Sequence, residues 1–213
     1  MIAGVAWDTL GDLALRHLYL AGVPLLVGLL VSLPLGWLAS RVRWLGSTVV
    51  AGTGLMYTIP SLALFILLPL VLGTRILDDT NVLVAMTIYT VALLTRTVAD
   101  GVGSVPAHVR QAATAMGYGE LRRVVAVDLP LAIPVIAAGL RVAAVSNVSI
   151  VSVAALIGVS QFGSLFTDGF NRNAMGPIVV GTLACVVLAL LLDALIALVA
   201  RGLTPWLRRG VPS

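Results

Sequence analysis

The sequence predicts an all-α, polytopic membrane protein with about five transmembrane helices. Three observations predict this class. Of 213 residues, 60% are hydrophobic and only 10% are charged, and the mean hydropathy is +1.09. A soluble domain carries roughly a quarter of its residues as charges, so a water-soluble fold of this size has too few to cover its surface. Five apolar runs reach the length of about 20 residues that a helix needs to cross a bilayer at ~1.5 Å per residue. The arginines, finally, divide unequally between the two sets of loops those runs define.

Taken in order, residues 1–17 are expected to form a short helix on the outer surface. Asp8, Asp12 and Arg16 recur every four residues there, whereas Trp7, Leu10 and Ala14 take another face. No basic leader precedes the first apolar run, so no cleavable signal is expected. The first span covers residues 18–40 and the second residues 46–73. The second is interrupted at Ile59-Pro60, which predicts a kink or a broken helix. A turn at Pro60 making six spans would place a loop in water with no charge to hold it there. The third span covers residues 82–98, the fourth 134–158 and the fifth 177–200. In the outer loop, residues 159–176, Phe162, Phe166 and Phe170 are four apart and predict a short helix with one aromatic face. Gln161, Asp168, Asn171, Arg172 and Asn173 make its polar side, a candidate docking face. No linker or internal repeat divides the chain, which reads as one membrane domain over residues 1–213.

All 13 basic residues are arginine, which reads as a codon bias towards GC. The net charge of +4 is spread over segment ends and fits topology, not nucleic-acid binding. With five spans, Arg41, Arg43, Arg110, Arg122, Arg123, Arg201, Arg208 and Arg209 fall on one side. Arg16, Arg75 and Arg172 fall on the other, with Asp8, Asp12, Asp78, Asp79 and Asp168. The arginine-rich side is predicted to be cytoplasmic, with the N-terminus outside and the C-terminus inside. Cys185, the one cysteine, lies in an apolar run and reads as a packing residue. His17 and His108 fall on opposite sides and cannot share a site. The chain is expected to hold no catalytic residue and no metal.

The densest internal charge lies in the loop of about residues 100–133. The stretch RQAATAMGYGELRRVVAVDLPLAIPVI, residues 110–136, carries Arg110, Glu120, Arg122, Arg123 and Asp128. It reads as two short helices around a Gly117-Tyr118-Gly119 hinge. Ser104 is expected to cap the first, with Pro106 in its opening turn. The second is expected over residues 120–127, stopped by Pro130 and Pro134. A compact loop on the cytoplasmic side is suited to docking a soluble partner; a solvated connector is the alternative on charge alone.

The spacing narrows this choice. Gln111-Ala112-Ala113, Gly117 and then Val127-Asp128-Leu129-Pro130 fall in the register of Glu-Ala-Ala, three residues, Gly, nine residues, Ile-x-Leu-Pro. The stretch resembles the cytoplasmic loop of permease subunits of binding-protein-dependent ABC importers. It departs from that pattern at Gln111, which lacks the usual glutamate charge but keeps hydrogen-bonding capacity. The segments TIPSLALFILLPLVLG, IPVIAAGLRVAAVSNVSIVSVAALIG and GSLFTDGFNRN are similar to the osmoprotectant branch, whose substrates are glycine betaine, carnitine, choline and related quaternary ammonium compounds. The resemblance implies the type I importer permease fold. It implies coupling to an ATPase through Arg110, Gln111, Ala112, Ala113, Met116, Gly117, Gly119, Glu120, Leu121, Leu129 and Pro130.

The chain has no Gly-x4-Gly-Lys-Ser/Thr phosphate loop and no lysine to serve one. ATP and Mg are therefore expected in two copies of a separate ATPase subunit. Five spans do not easily enclose a path for a solute the size of betaine. A second permease subunit is implied, a heterodimer being favoured over a homodimer. An extracytoplasmic binding protein would deliver substrate, and lipid surrounds the whole. Candidate pathway residues are Ser146, Ser149 and Ser152, three apart on one broad face, with Tyr57 and Tyr89 as aromatic partners for a cation; packing roles are the alternative for each. Arg141 and Asp193 are expected at similar depth and are a candidate intramembrane ion pair. The alternative is that Arg141 snorkels while Asp193 faces a wet cavity. A methionine or other small amino-acid permease is the alternative within the class. An ATP-independent carrier or channel, or a non-transporting scaffold, is the alternative outside it.

Overall fold

A computed structural model describes residues 5–41 and 43–209, without the side chains of residues 43–47, 50, 208 and 209. Arg43, Arg208 and Arg209, used above for topology, therefore lie outside the described side chains. Among the described residues nine α-helices follow one another: α1 Trp7–Arg41, α2 Arg43–Tyr57, α3 Ser61–Leu72, α4 Asp79–Gly103, α5 Ala107–Ala115, α6 Glu120–Arg123, α7 Leu129–Ser152, α8 Ser164–Asn171 and α9 Met175–Leu203. A π-helical segment, Val124–Asp128, joins α6 to α7, and short 3-10 turns follow α7 and α9. Among the described residues four helical stretches are long and apolar enough to span a membrane, and five if the bent pair α2–α3 counts as one.

Helix α4 is the centre of the packing and α9 its periphery. Half of the apolar window of α4 is buried, against none of that of α9. Close approach of α1 to α4 depends on small residues. Gly28, Ser32 and Gly36 of α1 are all buried. A Cβ at Gly36 would lie 2.7 Å from the Thr95 carbonyl oxygen. Such small-residue stripes let membrane helices pack backbone to backbone. Asn147 of α7 then ties three helices together, donating to the Ala21 carbonyl at 3.2 Å and to Thr90 Oγ1 at 3.0 Å. A polar bond of this kind is retained in the core because an unmet amide there is costly.

The first segment departs from the expected surface helix. Nothing between Trp7 and Pro24 interrupts the helix, and Asp8 in the first turn suits its dipole. Residues 7–17 therefore continue into the first span as one 35-residue helix. The second span breaks more sharply than a kink: Ala51–Tyr57 and Ser61–Leu72 meet at 102°. Pro60 supplies no amide hydrogen and biases Ile59 away from helix, which ends α2 before it.

Corrections also fall in the two loops. Ser104 does not cap α5; it closes α4, its hydroxyl donating to the Gly101 carbonyl at 2.7 Å. Pro106 occupies the cap position of α5. Nor do Pro130 and Pro134 end a helix, because Glu120–Ile157 runs on as one stretch. The π segment is the reason. Leu129 N–H reaches the Val124 carbonyl, five residues back, and the wider turn accommodates Pro130 near the start of α7. Beyond α7, Phe162 precedes α8 and is buried at 4% exposure, whereas Phe170 is 81% exposed, so the three phenylalanines share no face. Gln161 is fully buried and leaves the polar side of that loop. It holds the loop to α1 and α7: His17 Nδ1 lies 3.1 Å from its Oε1, and Gln161 Nε2 donates to the Ser152 carbonyl at 3.2 Å.

Candidate functional site

The loop after α4 folds as a compact cap over one end of the bundle. Alanines drive α5, and Gly117 ends it at φ +82°, a left-handed angle that glycine alone adopts cheaply. Tyr118 N–H then reaches back to the Ala113 carbonyl at 3.1 Å. Gly119 has an ordinary φ of −64° and starts α6. The alanine pair divides: Ala113 is buried against the loop and Ala112 faces out. Gln111 is exposed beside Ala112. Two large apolar side chains stand out of this polar surface, Met116 at 70% and Leu121 at 73% exposure. Leu129 and Pro130 lie elsewhere, in the first turn of α7, where Leu129 packs with Val98, Val102, Ala132 and Ile136.

Under the loop lies a carboxylate that sequence reasoning did not single out. Asp128 is fully buried, yet three guanidinium groups surround it. Arg41 from the end of α1 lies at 3.4 Å, Arg110 of α5 at 3.5 Å and Arg123 of α6 at 3.7 Å. Each arginine also holds a second element. Arg41 pairs with Glu120 at 3.3 Å, Arg110 donates to the Val102 carbonyl of α4, and Arg123 Nη1 donates to Thr114 Oγ1 at 3.1 Å. The π turn places Asp128 inward at this junction. The sequence signal was limited to two acids, Glu120 and Asp128, beside the three loop arginines Arg110, Arg122 and Arg123. Arg122 turns outward and stacks 4.8 Å from the Tyr118 ring.

The remaining candidates are brought together in pairs. Arg141 and Asp193 meet in a two-bond fork, Nε to Oδ1 at 2.7 Å and Nη2 to Oδ2 at 2.8 Å, joining α7 to α9. Tyr57 and Tyr89 stack edge to face with ring centroids 5.7 Å apart and planes at 88°. Ser149 is exposed on α7, while Ser146 and Ser152 are half-buried. Ser152 donates to the Ser149 carbonyl at 2.7 Å, a local bond that does not require a solute. The structure does not connect these serines to the tyrosine pair.

The ends of the bundle are distinct in charge. Arg16 of α1 pairs with Asp79 of α4 at 2.8 Å at one end; Arg41, the loop and Asp128 occupy the other. A multi-helix bundle with one broken span and one compact charged cap defines a polytopic membrane protein. Residues 28–206 match the family described as binding-protein-dependent transport system inner membrane component, and the chain belongs to that family. It is 32% identical over 200 residues to the osmoprotectant import permease protein OsmW of Salmonella typhimurium, covering 92% of each chain. It is 30% identical to the glycine betaine/carnitine/choline transport system permease protein OpuCD of Bacillus subtilis, covering 89% of this chain and 82% of that one. Its fold is that of the MetNI methionine ABC transporter in an inward-facing conformation: TM-score 0.81, 20% identity, 94% of this chain and 100% of that one. The type I importer permease fold is thus established, and family membership sets aside the scaffold and ATP-independent readings.

Proposed function

We propose that this chain is the permease subunit of an ATP-driven importer of small osmoprotectants, namely glycine betaine, carnitine, choline or similar quaternary ammonium solutes. The observation that carries the substrate class is the similarity to osmoprotectant permeases across nearly the whole chain. The fold likeness to a methionine transporter carries no substrate, because at 20% identity it concerns the backbone alone.

The whole chain acts as one permease domain, with residues 100–133 as the coupling loop on the cytoplasmic side and the C-terminus on that same side. Of two ATPase subunits, holding ATP and Mg, one docks on α5 and the hinge after it. Gln111, Ala112, Met116 and Leu121 make the contact, since exposed apolar side chains on a polar surface mark an interface. Ala113, Gly117, Gly119 and Glu120 shape the loop; Arg110 anchors it to α4 and Asp128. Leu129 and Pro130 carry motion onward into α7. A second, homologous permease completes the pathway, and an extracytoplasmic binding protein delivers solute to the opposite face.

Purified complex in liposomes provides the test. Glycine betaine, carnitine or choline, with its binding protein, is expected to stimulate ATP hydrolysis; stimulation by methionine instead would overturn the substrate class. Met116→Asp with Leu121→Asp is expected to abolish co-purification of the ATPase while leaving the chain folded in the membrane. Full retention of the ATPase by that variant sinks the coupling assignment.

A further inference from the structure

The break in the second span lies well inside the length of the bundle, not at its end. The Tyr89 hydroxyl donates to the Ile59 carbonyl. Tyr89 stands ten residues into α4, a 25-residue helix, which places the break about 15 Å from one end of a helix about 37 Å long. Irregular backbone at that depth is tolerated where it is covered by protein or faces water. Here residues 57–60 are exposed, Tyr57 and Ile59 each at 41%. Pro60 offers no side-chain cap to the first turn of α3. Hydrocarbon is a poor neighbour for such a segment; a wet path through the transporter is a good one.

The chemistry at the break is that of a site for a bulky cation. Perpendicular rings meet edge to face, so Tyr89 covers at most one face of Tyr57. Tyr89 itself is 3% exposed, which leaves Tyr57 as the ring open to a visitor. The carbonyl end of α2 adds partial negative charge beside it. Between Arg43 and Arg75 the sequence has no Asp, Glu, His, Lys or Arg. A cation there would meet a π face and backbone dipoles, and no carboxylate from α2 or α3. That suits a quaternary ammonium, which donates no hydrogen bond and is readily desolvated, better than a primary amine.

We propose that Tyr57, at the break between α2 and α3, is a transit site for the quaternary ammonium head of the solute. This rests on the reading of the chain as an osmoprotectant permease. The complex with its ATPase and binding protein, carrying Cys185→Ala, is the parent for the test. Its glycine betaine transport is measured first; a parent that moves methionine but no betaine overturns the substrate reading and this site with it. In a transporting parent, the Tyr57→Cys thiol is expected to react with a trimethylammonium methanethiosulfonate, several-fold more slowly when glycine betaine is present. A Leu190→Cys thiol, on the exposed face of α9, gives the rate for a lipid-facing position. A Tyr57→Cys rate no higher than that, or one that betaine leaves unchanged, overturns the site while leaving the substrate class intact. Tyr57→Phe is expected to keep turnover, and Tyr57→Leu to lower kcat several-fold with solute affinity of the binding protein unchanged. Equal turnover in the two overturns the role of the ring.

Discussion

Asp128 illustrates how much a single buried charge can organise. Its carboxylate has no exposure, and its three arginines come from α1, α5 and α6. Removing one member of a buried ionic cluster strands the others, at a cost of about 3 kcal/mol or more. Asp128→Asn is therefore expected to lower the unfolding midpoint in detergent and to loosen the loop, so that ATP hydrolysis continues while transport falls; unchanged stability would refute the clamp. The Arg141–Asp193 fork calls for a different test. Arg141→Leu or Asp193→Leu alone leaves one charge within the span, so each should destabilise the protein more than the double substitution does. Three equal melting temperatures would show that the pair is idle. Asp78 accepts a hydrogen bond from Thr80 N–H at 2.9 Å, and that bond holds its carboxyl below the usual range. A depressed acid stabilises above its unfolded pKa, and the stabilisation is lost as pH falls through the folded value. Protection of the first turn of α4 against amide exchange is thus expected to weaken below about pH 4. An Asp78→Asn variant, which caps without titrating, should show no such weakening.

At the scale of elements, glycines set what may change. A Cβ at Gly117 would meet no atom within 4 Å, so Gly117→Ala costs only the left-handed backbone, about 1 kcal/mol. The loop is expected to stay folded and transport to fall modestly. Gly36→Val is different in kind, since any Cβ there collides with the Thr95 carbonyl and Val98 of α4. That variant is expected to lose the α1–α4 contact and to be degraded in cells; normal abundance would contradict the packing. The same scale shows what the sequence could say. Apolar run length gave four spans directly, and Ile59-Pro60 gave the place of the break. The 102° angle was not legible, because it depends on Tyr89 and on packing against α4. Pro130 read locally as a stop, yet a π turn, which depends on surrounding contacts, absorbs it. Spacing gave the loop motif, with Gln111 as its departure, but not Asp128's three partners, which converge from residues 41, 110 and 123. Four-residue spacing grouped three phenylalanines that the fold separates, since α8 begins only after Phe162.

For the whole molecule, the loop and the spans form one mechanical unit. From Glu120 to Ile157 the chain is a single helical rod of 38 residues, about 57 Å from end to end. The Asp128 cluster grips one end, the Arg141–Asp193 fork links its shaft to α9, and its far end reaches the segment held by Gln161 and His17. A lever of that length moves its tip by roughly 1 Å for each degree its base tilts. A small rocking at the capped end would thus reach the opposite rim as a displacement wide enough to open or shut a gap between neighbouring side chains, with no hinge needed along the shaft.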